Sequence, residues 1–274
     1  RLNLGQAVQV LDPATDRDVF DKLIPEYQLL TGRRGTPPES AARRVATRPS
    51  VAAAMLLHGG QADAAICGGT GAWWRQIQYI LPIVPRRPDV SRVYALSCLI
   101  LQTGVLFICD TFMVLDPNAE QITEMTLLAA EAVRGFGLIP KAALVSHSSF
   151  GASDSQSARK MRQALSMIRA RAPGLEIDGE MHADAALVQT IRDHAVPDSR
   201  LSGSANLLIM PTLDAANISF NVLKAAADGL PVGPILLGMS KPIHVVVPSV
   251  TARGIVNLSA LAVVEAQEQA GATA

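Results

Sequence analysis

The sequence predicts an α/β fold, a mostly parallel sheet with helices on both faces. Three observations predict it. Apolar runs of strand length recur along the chain, amphipathic helical patterns separate them, and small or polar residues gather directly after the runs. Composition agrees with a packed interior, since 49% of the 274 residues are hydrophobic and only 18% are charged. That length suits one or two domains, each large enough for its own core.

Candidate strands are residues 64–67, 93–101, 105–110, 142–146, 207–210 and 244–247. Asp116 and Pro117 read as N-cap and first-turn proline of a helix. Ile122, Met125, Ala129, Val133 and Phe136 follow at three-to-four spacing, and Gly137 stops it. The next helix starts near Ser155, carries Met161, Leu165, Ile168 and Ala172 on its apolar face, and ends at Pro173 and Gly174. Residues 85–88 and 229–234 have the proline and glycine content of linkers. A last helix is expected over residues 258–269, with an Ala/Gln/Glu-rich tail that frays from Glu265. No internal repeat or low-complexity tract interrupts this order.

The formal net charge is zero, so no general attraction to nucleic acid or an anionic membrane is expected. No run of about 20 apolar residues would span a bilayer. Arg1, Leu2, Asn3 and Leu4 show no signal-peptide pattern, and the start without Met reads as a piece of a longer polypeptide. Cys67, Cys98 and Cys109 lie in apolar runs without C-x-x-C spacing. They read as buried reduced thiols, which fits a cytoplasmic protein.

In parallel sheets ligands bind beyond the carboxyl ends of the strands. Gly68-Gly69-Thr70-Gly71 there is either a phosphate cradle or a plain tight turn, and it is neither a Walker A loop nor G-x-G-x-x-G. Trp73 and Trp74 beside it would pack at an interface or stack on a base. Ser146, His147, Ser148 and Ser149, with Ser153 and Ser155 beyond, would hold an anion or cap a helix. Ser146, His147 and Asp154 lack the nucleophile-elbow context of a hydrolase triad. Glu180, His182 and Asp184 at two-residue spacing would make a polar loop or, less readily, a metal site. Asp214 can cap the helix that opens Asp214-Ala215-Ala216-Asn217, and Asn206, Asn217 and Asn221 add polar reach.

Several segments occur in register: ALVSHSSFGASDSQSARKMR at 143–162, DGEMHADAAL at 178–187, SANLLIMPTLDAANISFNVLK at 204–224, VGPILLGMSKPIHVVVPS at 232–249 and IVNLSALAVVEAQ at 255–267. Together they resemble the phosphate acetyl/butyryl-transferase (phosphotransacetylase) family, most strongly from about Leu101 to Gln267. LFICDTF at 106–112 and DPNAEQITEMTLLAAEAVRGFG at 116–137 are similar to one branch, the carboxy-terminal domain of hybrid NADP-dependent malic enzymes.

The resemblance implies two three-layer αβα lobes with a central cleft, an isocitrate-dehydrogenase-like architecture. Lobe one would be discontinuous, residues 1–88 plus 236–274, and truncated at its start; lobe two would be residues 89–235. It also implies a homodimer or higher homo-oligomer and an acyl-CoA cleft lined by Ser146, Ser148, Ser149, Asn206, Asp214, Asn217, Lys241 and Arg253. Active members carry a Ser-Arg pair after Lys-Pro-Ile and an Asp before Ile-Val; Val247, Pro248 and Gly254 stand at those positions here. Family arginines of lobe one fall near Gln78, with Arg75 close by, and near Leu30 or Thr31, with Arg33 and Arg34 beside them. Removing one oxyanion donor costs on the order of 10²–10³ in rate, so a site lacking guanidinium and base would scarcely turn over.

The expected function is therefore a catalytically degenerate domain that binds acetyl-CoA as allosteric effector. The effector would regulate an upstream NADP-dependent malic enzyme, which oxidatively decarboxylates malate to pyruvate and carries NADP and a divalent metal (Mg or Mn) itself. The alternatives are an active phosphate acetyl/butyryltransferase and a purely structural oligomerisation domain.

Overall fold

The computed structural model describes residues 8–272, so the expectation for residues 1–4 lies outside the described residues. Ten α-helices, one short 3-10 helix (Gly32–Arg34) and eight strands are described, the strands forming two sheets. Helices α1 (Arg17–Thr31), α2 (Pro38–Thr47) and α3 (Pro49–His58) lead into β1 (Ala65–Gly68) and α4 (Trp73–Ile80). Then follow β2 (Tyr94–Leu101), β3 (Gly104–Cys109), α5 (Ala119–Gly135), β4 (Lys141–Val145), α6 (Gln156–Arg171) and β5 (Glu176–Met181). The chain continues through α7 (Ala183–Leu187), α8 (Gln189–Ala195), β6 (Leu207–Ile209), α9 (Leu213–Ala226), β7 (Leu230–Leu237), β8 (Ile243–Val246) and α10 (Ala252–Ala272).

The larger sheet has the order β5-β4-β6-β3-β2-β7. Its first four strands run parallel, and β2 is antiparallel to both β3 and β7. Period-two alternation sends side chains to two cores. Phe107, Cys109, Ala142, Leu144, Leu207 and Ile209 face α5 and α6. Leu106, Ile108, Ala143, Val145 and Leu208 face α7 and α9. The second sheet has two parallel strands, β1 and β8. Cys67, Ile243 and Val245 pack with α1 to α4, while Leu258 and Leu261 of α10 lie with Val246 on the other side.

All six expected strands form, and two further ones were missed. β5 reads Glu-Ile-Asp-Gly-Glu-Met, too acidic for a buried run, yet Asp178 and Glu180 are buried because Arg169 and Arg162 pair with them. β7 holds Pro231 and Pro234, whose linker-like composition hides an edge strand, where proline leaves no ladder bond unmade. Asp116 does not cap α5. Asn118 does, in a reciprocal capping box with Gln121, and Asp116 pairs with Lys160 instead. Ser155 caps α6 as expected. α10 starts earlier than expected and does not fray at Glu265, whose carboxylate meets the buried His244 at 3.0 Å.

Candidate functional site

The carboxyl ends of β3, β4, β5 and β6 lie along one sheet edge, and the polar residues after them make that edge a cleft wall. After β3, Asp110 is buried and accepts backbone N–H bonds from Ala95, Phe112, Met113 and Val114 at 2.9–3.1 Å. Burial raises its pKa to about 6 against the lowering effect of those donors. The carboxylate fixes the turn that carries Thr111 and Phe112. Thr111 Oγ1 meets Ser97 Oγ at 2.7 Å, and its carbonyl accepts from Asn217 Nδ2 at 3.2 Å, which ties α9 to this edge. Phe112 packs against Trp73, ring centroids 4.9 Å apart, and Trp73 Nε1 donates to the Val245 carbonyl at 2.7 Å. Trp73 is thus packing between the two sheets, while Trp74 is half exposed.

After β4, the Ser146–Ser149 stretch forms a closed network. The Ser148 hydroxyl donates to Glu180 Oε1 at 2.7 Å and accepts from the Ser153 amide at 3.0 Å. Gly151 N–H and Arg162 Nη1 also donate to Glu180 Oε1, at 3.0 and 2.9 Å. Ser146 Oγ accepts from Ser148 N–H, and Ser149 Oγ accepts from His182 N–H. The serines therefore build the turn itself. Glu180 is fully buried, and its Oε2 has no hydrogen-bond partner among the described residues. His147 meets Ser155, and Asp154 pairs with Arg159 and Arg162, so no triad assembles. Among the described residues no group of three or more His, Cys, Asp or Glu side chains gathers as a metal ion would need, Glu180, His182 and Asp184 included.

Gly68-Gly69-Thr70-Gly71 is a tight turn with positive φ at Gly68, Gly69 and Gly71. A Cβ on Gly68 would lie 2.5 Å from the Val246 carbonyl, so glycine there permits close β1–β8 approach. A notch of about 50 Å³ opens between β2, β7, α9 and the start of α10. Val247 and Gly254 line it together with Phe112, Phe220 and Lys224. A larger cavity of about 350 Å³ lies where α5, β7 and α10 meet, walled by Arg87, Glu131, Lys241 and Glu265 over apolar residues.

The structure thus gathers part of the expected set. Ser146, Ser148, Ser149 and Asn217 lie along the carboxyl edge. Asn206 does not. It precedes β6 at the opposite edge, where its side chain accepts from Lys141 N–H and donates to the Ile139 carbonyl. Lys241 faces the larger cavity and donates to the carbonyls of Leu57 and His58, closing the end of α3. Asp214 does not cap α9; Thr212 accepts the Ala215 amide, and Asp214 is exposed on the first turn. Arg253 is exposed on the first turn of α10 and does not line the notch. Asp110 and Thr111 stand where the sequence places polar residues, directly after the third apolar run. Residues missed from sequence are Arg162 and Lys224, helical cations that carry no local signal.

The geometry can be set beside known proteins. A family model described as phosphate acetyl/butaryl transferase matches residues 1–263. The chain belongs to this family. It is 48% identical over 94% of its length to a Rhizobium meliloti protein named NAD-dependent malic enzyme. It is 47% identical over 91% of its length to an Escherichia coli protein named NADP-dependent malic enzyme. It spans 33% of each of these relatives, about a third of their length. A phosphotransacetylase structure from Streptococcus pyogenes superposes with a TM-score of 0.82 at 26% identity, covering 91% of this chain and 76% of that one. The two sheets and their helices thus fit a two-lobe α/β fold of the phosphotransacetylase type. No helix among the described residues is long and apolar enough to cross a membrane.

Proposed function

We propose that this chain is a phosphotransacetylase-like domain that binds acetyl-CoA without transferring the acetyl group. In the longer protein it would act as the allosteric and self-associating part of a cytoplasmic malic enzyme. One observation carries the reading. Among the described residues the notch holding Val247 and Gly254 is lined by apolar and hydroxyl side chains with Lys224 the one charged group, so no guanidinium and no carboxylate of theirs lines it. Guanidinium and base are what acetyl transfer between CoA and phosphate requires. The names of the malic-enzyme relatives supply the catalytic partner in cis. NADP, a divalent metal and malate chemistry would belong to that partner.

A notch of about 50 Å³ takes an acetyl-sized group, whereas ligand pockets are commonly about 300–1,000 Å³. Binding a whole acyl-CoA would therefore favour a more open arrangement of the two lobes. A ligand that selects one arrangement shifts its population and passes the bias to whatever is joined to the domain. The test is a thiol-release assay with acetyl-CoA and phosphate. The expected result is no turnover above buffer at concentrations where acetyl-CoA protects the chain against thermal unfolding. Turnover abolished by Arg253→Ala would establish the active acyltransferase instead.

A further inference from the structure

We propose that the cavity of about 350 Å³ between α5, β7 and α10 binds a small amphipathic cation, a primary amine on an apolar body. The cavity shares no lining residue with the notch of Val247 and Gly254, so the inference stands apart from the acetyl-CoA reading. Its volume falls within the usual range for small-molecule sites, about 300–1,000 Å³. Leu128 and Ala132 of α5, Ile235 and Leu237 of β7, and Leu261 and Val264 of α10 give it apolar walls. Val264 is 39% exposed there, so an apolar ligand would remove from water a surface that the fold leaves wet. The walls also come from both sheets. α5 and β7 belong to the larger one, whereas α10 packs on β1 and β8 of the smaller one as well as on β7.

Charge decides the class of ligand. Among the described residues Glu131, Glu265 and Glu268 line the cavity against two bases, Arg87 and Lys241. Both bases are already engaged. Arg87 meets Asp89 at 3.4 Å and Glu131 at 3.3 Å. Lys241 Nζ donates to the carbonyls of Leu57 and His58 at 2.7 and 3.2 Å, where the end of α3 favours a cation. The two acids of α10 have no such counter-charge. Glu268 is exposed and forms no ion pair among the described residues. Glu265 meets His244, whose Nδ1 accepts the Leu236 amide at 3.3 Å. The ring hydrogen therefore sits on Nε2 and is donated to Glu265 at 3.0 Å. A neutral imidazole orients that carboxylate without cancelling its charge. Glu265 and Glu268, three residues apart, share one side of α10 beside Leu261 and Val264. Two carboxylates beside an apolar wall suit an ammonium on a hydrophobic stem. A carboxylate ligand would meet both acids and find both bases taken.

The test is calorimetric titration of the 274-residue chain with phenethylamine, beside phenylpropionate and phenethyl alcohol as probes of similar shape and different charge. The amine is expected to saturate a single site below about a millimolar and to raise Tm, since occupancy ties α5 to α10. It should bind about tenfold more tightly than either other probe. Glu268→Lys should weaken the amine about tenfold. Glu39→Lys, the same charge change in the first turn of α2, should leave it within about twofold. Ala132→Phe, which fills the cavity from α5, should abolish binding. An amine that shows no saturable binding overturns the inference. So does a site that takes the carboxylate or the alcohol as tightly as the amine, or amine binding that survives both Glu268→Lys and Ala132→Phe.

Discussion

Replacing Arg162 by Met tests how the carboxyl edge of the larger sheet is held. Glu180 is fully buried, and its Oε1 accepts from Ser148, Gly151 and Arg162, the last at 2.9 Å. Without the guanidinium the carboxylate remains buried with two neutral donors. Breaking a buried pair from one side costs about 3–5 kcal/mol, and the one-third exposure of Arg162 places this case near the low end, about 3 kcal/mol. For a chain of this size that is a fall of roughly 6–10 °C in Tm. Removing both partners, with Glu180→Leu added, should recover most of the loss, because no unpaired charge is left inside. Differential scanning calorimetry of wild type, single and double variants provides the comparison. A single variant within 1 °C of wild type, or a double variant worse than the single, would refute the reasoning.

Other expectations follow from particular residues. Asp110 carries a pKa of about 6 in the fold against 3.8 when unfolded, so the native state holds its proton more tightly. Its contribution to stability therefore falls as pH rises from about 4 to about 6, by up to roughly 3 kcal/mol, and is flat above. Urea unfolding at several pH values should lose this slope in Asp110→Asn. Burial pushes the Cys67 and Cys98 thiols to about 12 and raises Cys109 as well, so a thiol reagent at pH 8 should label none of them until the chain unfolds. Gly68→Ala should destabilise by about 2 kcal/mol or more in chemical denaturation, since its Cβ would meet the Val246 carbonyl. Asn206→Ala should cost about 1–2 kcal/mol and leave acetyl-CoA affinity unchanged, because it joins β4 to β6 at the edge away from the cleft.

Most of the fold was legible because its signals are local. Leu106 to Ile108 and Leu207 to Ile209 are continuous apolar runs, and such runs in a parallel sheet are buried on both faces. Ser155 announces α6 by its own side chain. The failures are places where a distant residue changes a local meaning. Asp178 and Glu180 make β5 look polar until Arg169 and Arg162, on α6, neutralise them. Pro231 and Pro234 make β7 look like a linker until its position at the sheet edge is known. The candidate site divides the same way. Val247 and Gly254 could be placed because Lys241-Pro242-Ile243 fixes their register within the family. Asn206 and Lys241 could not, because an amide or an ammonium reads alike whether it meets a ligand or ends a helix.

The most direct measurement of the central claim is calorimetric titration of the purified chain with acetyl-CoA in phosphate buffer. The account predicts a saturable heat, one acetyl-CoA per chain, with the thioester recovered intact. No saturable heat up to millimolar acetyl-CoA, or a continuous heat of thioester consumption, would contradict it.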